Sequence, residues 1–454
     1  MSVQTVYQLS FNSGWLKTNL DPSHELVLLA EKIDWQTLTD KLASFYSLRG
    51  RRAKAPRLMI ALHLIKHIYN LSDEQVVKGL SENIYYRFFC GLDNDLQAWS
   101  AKRPLDSSTM TNFRKRIGAA GMRLVENVVN GQLLKEKRIN PKTQIVDTTA
   151  MEKHIAFPTD GNLLHRAIGK LSKLVERLKR RGLSVHVRSF RRLARKQILK
   201  INKFGRGSKQ RREEGTKSLV GYLKQMLKAM PTVLNAKKKE ATTHENARIE
   251  ATKEEIKNTA DLATRVINQT EQRLKGIHIK NKVFSLHEPD TTVIAKGKRS
   301  KKYEFGSKVS LSQDPNGYIL GHQEYHYNAA DVNTLEPAVN DWAKTFGEYP
   351  DEVAGDRGYH TSNIPEALTK VKRISIPTRG RKKHPDHDQR YFKRLQRYRN
   401  HIEPAIGHLK NDHRLNRSRY KGKQGDTLNV GWAVLAWNSK KWSRALRQEL
   451  KSTA

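Results

Sequence analysis

Apolar residues recur at spacings of three and four along 56–71 (PRLMIALHLIKHIYNL), predicting a helix with one face buried. Ser72 and Gln75 stand at capping-box spacing ahead of a second helical stretch, DEQVVKGLSENIYYRFF. A third helix is expected to begin at 106–109 and to carry Arg114, Lys115 and Arg116 on a basic face. Three such helices are compatible with a helix-turn-helix, and the cations with DNA contact. The period then changes. PKTQIVDTT at 141–149 reads as a short buried strand ending in Asp147. Helical spacing returns in Leu163, Leu164, Ile168, Leu171, Leu174, Val175 and Leu178, and residues 243–276 read as one long charged helix.

Strand-like runs follow at 282–286, 291–295, 308–312 and 318–327, with Asp314-Pro315-Asn316-Gly317 predicting a hairpin between the last two. A helix at 333–346, a strand at 350–354 followed by Asp356, a helix at 364–370, a strand at 373–378 and helices to the C-terminus complete the order. The expected fold is α/β: a mixed sheet with flanking helices, an all-helical N-terminal domain and a helical insertion after the first strand. The expected boundaries are 1–130 for the N-terminal helical domain, 141–160 with 281–425 for the sheet domain, 161–280 for the insertion and 426–454 for a C-terminal helix.

Charge narrows the picture. The chain has 454 residues, with 85 Lys and Arg against 45 Asp and Glu, a formal net charge of +40. Residues 161–212 hold eighteen of the cations and one acid, Glu176; residues 161–280 hold 31 cations and 10 acids. Such a helical insertion is either a solvated hairpin or a surface for a polyanion, with Arg191 and Arg192 as candidate DNA contacts. The single Cys90 offers neither a disulfide nor a thiolate metal site, no secretory pattern opens the chain, and no uncharged apolar run reaches the ~18 residues that span a bilayer. No phosphate-cradling GxxxxGK[ST] occurs, and no His pair has zinc-site spacing.

Three acids stand where chemistry is expected. Asp147 and Asp356 follow strands, at the crevice where α/β sheets bind ligands. Glu403 lies in RNHIEPAIGHLK, and helical geometry places Arg399, Glu403 and Lys410 on one stripe, with Pro404 imposing a helix start or kink. Clustered carboxylates suit Mg²⁺ or Mn²⁺, and two such ions suit phosphodiester displacement; Arg399 and Lys410 suit phosphate. Asp412 is a rival to Glu403.

The set IVDTTAMEKHI, AGDRGYH and RNHIEPAIGHLK resembles the DDE-type transposases of bacterial insertion sequences, most closely the insertion-sequence-five superfamily. RGRRAKAPRLMIALHLIKHIYNLSDEQVVKGLSENIYYRFFCG and TTVIAKGKRSKKYEFGSKVSLS are similar to its N-terminal domain and following strands. The resemblance implies a ribonuclease-H-like catalytic fold and two Mg²⁺ ions held by Asp147, Asp356 and Glu403. It also implies cleavage at terminal inverted repeats with joining of 3′-OH ends to target DNA, in a cytoplasmic, nucleoid-associated bacterial protein that pairs two ends as a homodimer. Of the family's Tyr-Arg-Glu-Lys signature, Arg399, Glu403 and Lys410 match; Gln396 occupies the Tyr position, with Tyr398 out of register. Some relatives stack an insertion aromatic on a flipped base. All seven Trp lie outside 161–280, which leaves Phe190, Phe204 or Tyr222 for that role. Trp432, Trp437 and Trp442 read as core. The rival functions are a related nuclease that cuts without joining and an inactive DNA-binding descendant.

Overall fold

Side chains fix the ends of the first helices. The computed structural model describes residues 19–47, 53–92, 105–203, 208–238, 240–295, 303–380 and 383–453. Helices α1 (Glu25–Lys32) and α2 (Trp35–Leu42) are capped by His24 and Asp34, and α3 (Pro56–Ile68) starts on its proline. α4 (Asp73–Glu82) carries the expected capping box, with Ser72 Oγ and the Gln75 side chain each accepting from the other's backbone N–H. α5 (Ile84–Phe89) follows, and then α6 (Ser108–Lys135), kinked at Gly118, where φ is +54°. α3 is buried on every side rather than on one: His63, Lys66 and His67 are as enclosed as its leucines.

Contacts divide the chain into two units, Met1–Lys153 with Val293–Ala454, and His154–Thr292. The first unit's helices lead into β1 (Thr143–Lys153). That strand is eleven residues long, so Asp147 lies at its middle and not at its end as expected.

The second unit comprises α7 (Asp160–Arg180), α8 (Arg191–Lys203), α9 (Lys209–Lys228), α10 (Met230–Asn235) and α11 (Thr243–Leu274). The seven apolar residues expected to line α7 are all buried, each worth roughly 1.5–3 kcal/mol of transfer free energy. The unit thus has its own core, in which Ile256, Ala263 and Val266 of α11 join Leu219 and Leu223 of α9. Residues 282–286 form no strand. Val283 and Leu286 are buried in this core, and Gln269 grips the Val283 backbone, accepting from its N–H at 2.9 Å and donating to its carbonyl at 3.1 Å. The apolar run there supplies two buried anchors of a loop.

The first unit resumes with β2 (Thr292–Ala295), β3 (Tyr303–Gln313), β4 (Ile319–Tyr325), α12 (Val332–Phe346), β5 (Glu352–Ala354), α13 (Glu366–Thr369) and β6 (Arg373–Ser375). Then come α14 (Arg390–Asn400), α15 (Ile402–Asn411), β7 (Arg417–Ser418) and α16 (Gly422–Thr453). The seven strands make one mixed sheet in the order β2-β3-β1-β5-β6, with β4 on β3 and β7 on β1. β1 is antiparallel to β3 and parallel to β5, which is parallel to β6.

The expected hairpin joins β3 and β4. Asp314 Oδ1 accepts from Tyr318 N–H at 2.8 Å, and Gly317 takes φ +84°. A methyl group on Gly306 would stand 1.9 Å from the Met151 carbonyl, so β3 approaches β1 this closely only because residue 306 is glycine. α16 packs Leu428, Trp432, Leu435, Trp442 and Leu446 into one core with α1 to α6 and the hairpin residues Tyr318 and Leu320. Trp432 and Trp442 are fully buried, as expected, while Trp437 is half-buried.

Candidate active site

Parallel pairing of β1 with β5 runs from Thr143↔Glu352 to Ile145↔Ala354 and stops there. Asp147 and Asp356 each lie two residues beyond this pairing on their own segments, close enough that the charge of Asp356 acts on the Asp147 carboxyl. Asp356 caps a short 3₁₀ turn (Arg357–Tyr359), its Oδ1 accepting from Gly358 N–H at 2.8 Å. Gln396 of α14, at the position where the resemblance expects tyrosine, donates to the carbonyls of Gly355 (3.3 Å) and Ser375 (2.8 Å). It thereby ties α14 to the ends of β5 and β6 beside Asp356. Tyr398 packs instead on Ile145, Ala354 and Leu395.

α14 ends at Asn400 and α15 begins at Ile402, the break expected around Pro404. Pro404 is the third residue of α15, where an N–H has no intrahelical partner to lose. Arg399 spans this break. Its guanidinium lies 2.7 Å from Glu403 Oε1 and 3.9 Å from Asp147 Oδ2, so one cation bridges two of the three expected carboxylates. Arg399 Nε is buried and has no hydrogen-bond partner. Glu403 itself is 59% exposed.

Burial pushes the Asp147 carboxyl up to about 6. The Thr148 N–H and Arg399 oppose that rise, and the charges of Asp356 and Glu403 add to it. The folded chain therefore holds this proton more tightly than the unfolded chain. The resulting stability is present in full below about 3.8 and is lost as pH rises through about 6. Asp147→Asn is expected to remove that loss, making the metal-free protein more stable near pH 7 by on the order of 2 kcal/mol. Urea unfolding of both proteins across the window checks it.

A fourth acid joins the group, and its sequence position gave no sign of it. Asp331 Oδ1 accepts from Thr148 Oγ1 and from Lys308 Nζ, each at 2.6 Å. A methyl on Gly358 would meet both Asp331 Oδ2 (3.0 Å) and Asp356 Oδ1 (2.9 Å). An acid just ahead of α12 reads as an ordinary cap; here it makes no capping bond and turns toward β1 and β3. Tyr359, buried behind the group, keeps its phenolic proton because burial and the charges of Asp147, Asp331 and Asp356 all disfavour the phenolate.

Hard carboxylate oxygens with so little compensating charge fit a divalent cation. Asp147 and Asp356 are two such acids, near enough for one charge to act on the other. Among the described residues no three acids or histidines converge as placed, because Glu403 turns to Arg399. Rotation of its exposed side chain would release it.

The other expected contacts divide. Arg114 is a correction: it is buried, donating to both Asp73 carboxylate oxygens at 3.0 and 2.7 Å and lying over the Tyr420 ring. It has no part in a surface basic face. Lys115 and Arg116 are exposed, Arg116 over the Tyr46 ring. Arg191 and Arg192 are exposed on α8, Arg191 pairing with Glu176 at 3.3 Å. Lys410 is half-buried on α15. Asp412, the rival acid, is paired with His408 at 2.7 Å, about 13 Å along the helix from Glu403. Phe190 is buried and stacked on Tyr222 with ring centroids 5.2 Å apart, so burial removes it as a base-stacking surface; Phe204 lies outside the described residues.

The chain is thus a mixed α/β protein with an acidic cluster beside the ends of parallel strands. Residues 281–439 match the family "Transposase DDE domain" and residues 15–116 match "Transposase domain (DUF772)". Asp356 and Glu403 fall inside the first match, and Asp147 falls between the two. Over 188 residues the chain is 36% identical to "Uncharacterized protein ORF8 in nfe locus" of Rhizobium meliloti, covering 41% of this chain and 87% of that protein. No solved structure matches. The chain belongs to the DDE-type insertion-sequence transposases. It is accordingly a nucleotidyl-transfer enzyme that acts on DNA; among the described residues no helix is long and apolar enough to cross a membrane.

Proposed function

We propose that this transposase cleaves DNA at the terminal inverted repeats of its element and joins the freed 3′-OH ends to target DNA. The observation that carries the reading is the grouping of acids: Asp147 at mid-β1, Asp356 two residues beyond β5, and Glu403 joined to Asp147 through Arg399. The antiparallel β3–β4 pair on one side of β1 and the parallel β5 and β6 on the other support a ribonuclease-H-like sheet.

Asp147, Asp356 and Glu403 would hold two Mg²⁺ ions, with Mn²⁺ able to substitute. Divalent cations bound there supply an activated attacking oxygen and charge for the leaving one. The chain's own residues do the rest. Asp147, enclosed at mid-strand, fixes the position of the reacting phosphate relative to the sheet. Asp356 is oriented by the Gly358 N–H and, through α14, by Gln396. Arg399, drawn off Glu403 when that carboxylate takes up a ligand, is placed to receive a phosphate oxygen, with Lys410 further along α15. Lys308 holds Asp331 and so keeps a fourth negative charge partly neutralised. Lys115, Arg116, Arg191 and Arg192 would contact the DNA backbone, and two chains would pair two element ends as a homodimer.

A strand-transfer assay with precut ends and Mg²⁺ tests this. Joined products are expected. Cutting without joining would make the chain a nuclease, and neither activity, with DNA binding kept, would make it an inactive binding protein.

A further inference from the structure

Where α15 ends and α16 passes, an open cavity of about 100 Å³ is lined almost wholly by basic and aromatic side chains. Lys440, Lys441 and Arg444 enter it from one face of α16, with Trp437 one turn earlier. The Trp437 indole N–H donates to the Gly317 carbonyl at 2.9 Å, and the His408 ring stacks on its face. The aromatic wall is therefore fixed. The single carboxylate of the lining, Asp412, already accepts from His408 Nδ1 at 2.7 Å, and that hydrogen bond holds it below the usual carboxylate range. Among the described residues no carboxylate forms an ion pair with Lys440, Lys441 or Arg444; Asp314 acts on Lys441, and Asp412 on Lys440, through charge alone. Two carboxylates, one of them already bonded to His408, offset three cations only in part, and an anion in the cavity would offset the rest.

Size selects the anion. Pockets for whole small molecules run to roughly 300–1,000 Å³, so this cavity admits a phosphate group and no complete nucleotide. Position selects its source. The nine residue steps from Glu403 to Asp412 span about 13 Å, roughly four base-pair rises of duplex. A backbone passing the carboxylates can therefore reach the cavity.

We propose that this cavity is a docking point for a backbone phosphate of the DNA engaged at the carboxylates, with Lys440 and Arg444 carrying the charge contact. The proposal rests on the reading of the chain as an enzyme of DNA.

Fluorescence anisotropy with a random-sequence duplex across a salt series tests it, on the full chain, with Arg444→Gln and with Lys440→Gln/Arg444→Gln. Arg444 is exposed, so the single variant folds even if the double variant does not. The slope of log affinity against log salt is expected to flatten by about 0.9 for each phosphate that the variant no longer neutralises, with the melting temperature unchanged. A folded single or double variant with wild-type slope and affinity overturns the proposal while leaving the transposase reading intact. A wild type without duplex affinity defeats that reading itself. Inorganic phosphate at constant ionic strength separates the two sources of phosphate. If calorimetry shows millimolar phosphate binding to the wild type and not to Arg444→Gln while both bind duplex alike, the cavity takes the free ion and the proposal fails; a difference in duplex affinity that millimolar phosphate reduces makes the DNA backbone the occupant.

Discussion

Asp147→Asn, Asp356→Asn and Glu403→Gln are each expected to lower DNA cleavage by about 10³-fold or more, a barrier increase of at least ~4 kcal/mol, with duplex affinity kept within about twofold. Each change keeps the side chain's volume and removes one negative charge. The three acids arrive on separate elements, β1, the turn after β5 and α15, so no single substitution is expected to dismantle the others. Asp147→Asn carries an added signature: it relieves the cost of a buried charge, so activity is lost while stability near neutral pH rises. A merely structural Asp147 would give the opposite sign. Oligonucleotide cleavage and urea unfolding on the same preparations check both.

Arg114→Met is expected to destabilise the first unit by about 3–5 kcal/mol and to leave the salt dependence of DNA binding unchanged. Burial acts to raise the Asp73 carboxyl, but hydrogen bonds and charge from Arg114 and Lys66 outweigh it and hold the group well below the usual range. That stabilisation is present above the unfolded carboxylate value and is lost as pH falls through the folded one. Arg114 also reaches His63 Nε2 at 3.2 Å, and burial, reinforced by the Arg114 charge, keeps that imidazole neutral, with its pKa lowered to about 3. Lys66 closes the network on Asp73 and the Tyr420 hydroxyl, joining the N-terminal helices to the start of α16. Thermal melts and anisotropy on Arg114→Met decide the matter. A large loss of DNA affinity with an unchanged melting temperature would contradict this assignment.

The burial of Arg114 was legible in its spacing. Met110, Phe113, Arg114 and Ile117 share the stripe that helical geometry buries, and composition alone drew attention to the basic triplet. The same period correctly marked α7 and α11, because a long helix repeats its pattern often enough to outweigh local exceptions. Short segments fared worse. The run Lys282 to Leu286 is short and apolar as a strand would be, yet Val283 and Leu286 pack among residues of a helical core far along the chain. The carboxylates were found as sequence motifs, but their grouping depends on the register of β1 against β5, which no local pattern encodes. Asp331 and the tether from Gln396 are products of that tertiary arrangement. The bridging of Asp147 and Glu403 by Arg399 had half a signal, the i, i+4 spacing of Arg399 and Glu403, and the other half came from the placement of α14 against the sheet.

Acids from three elements are expected to act as one cation site. The most direct measurement is Mn²⁺ binding followed by electron paramagnetic resonance on the wild type, Asp147→Asn, Asp356→Asn and Glu403→Gln. Saturable binding by the wild type and a loss of affinity of about tenfold or more in each variant is the expected result. Binding by Asp147→Asn equal to that of the wild type would contradict it.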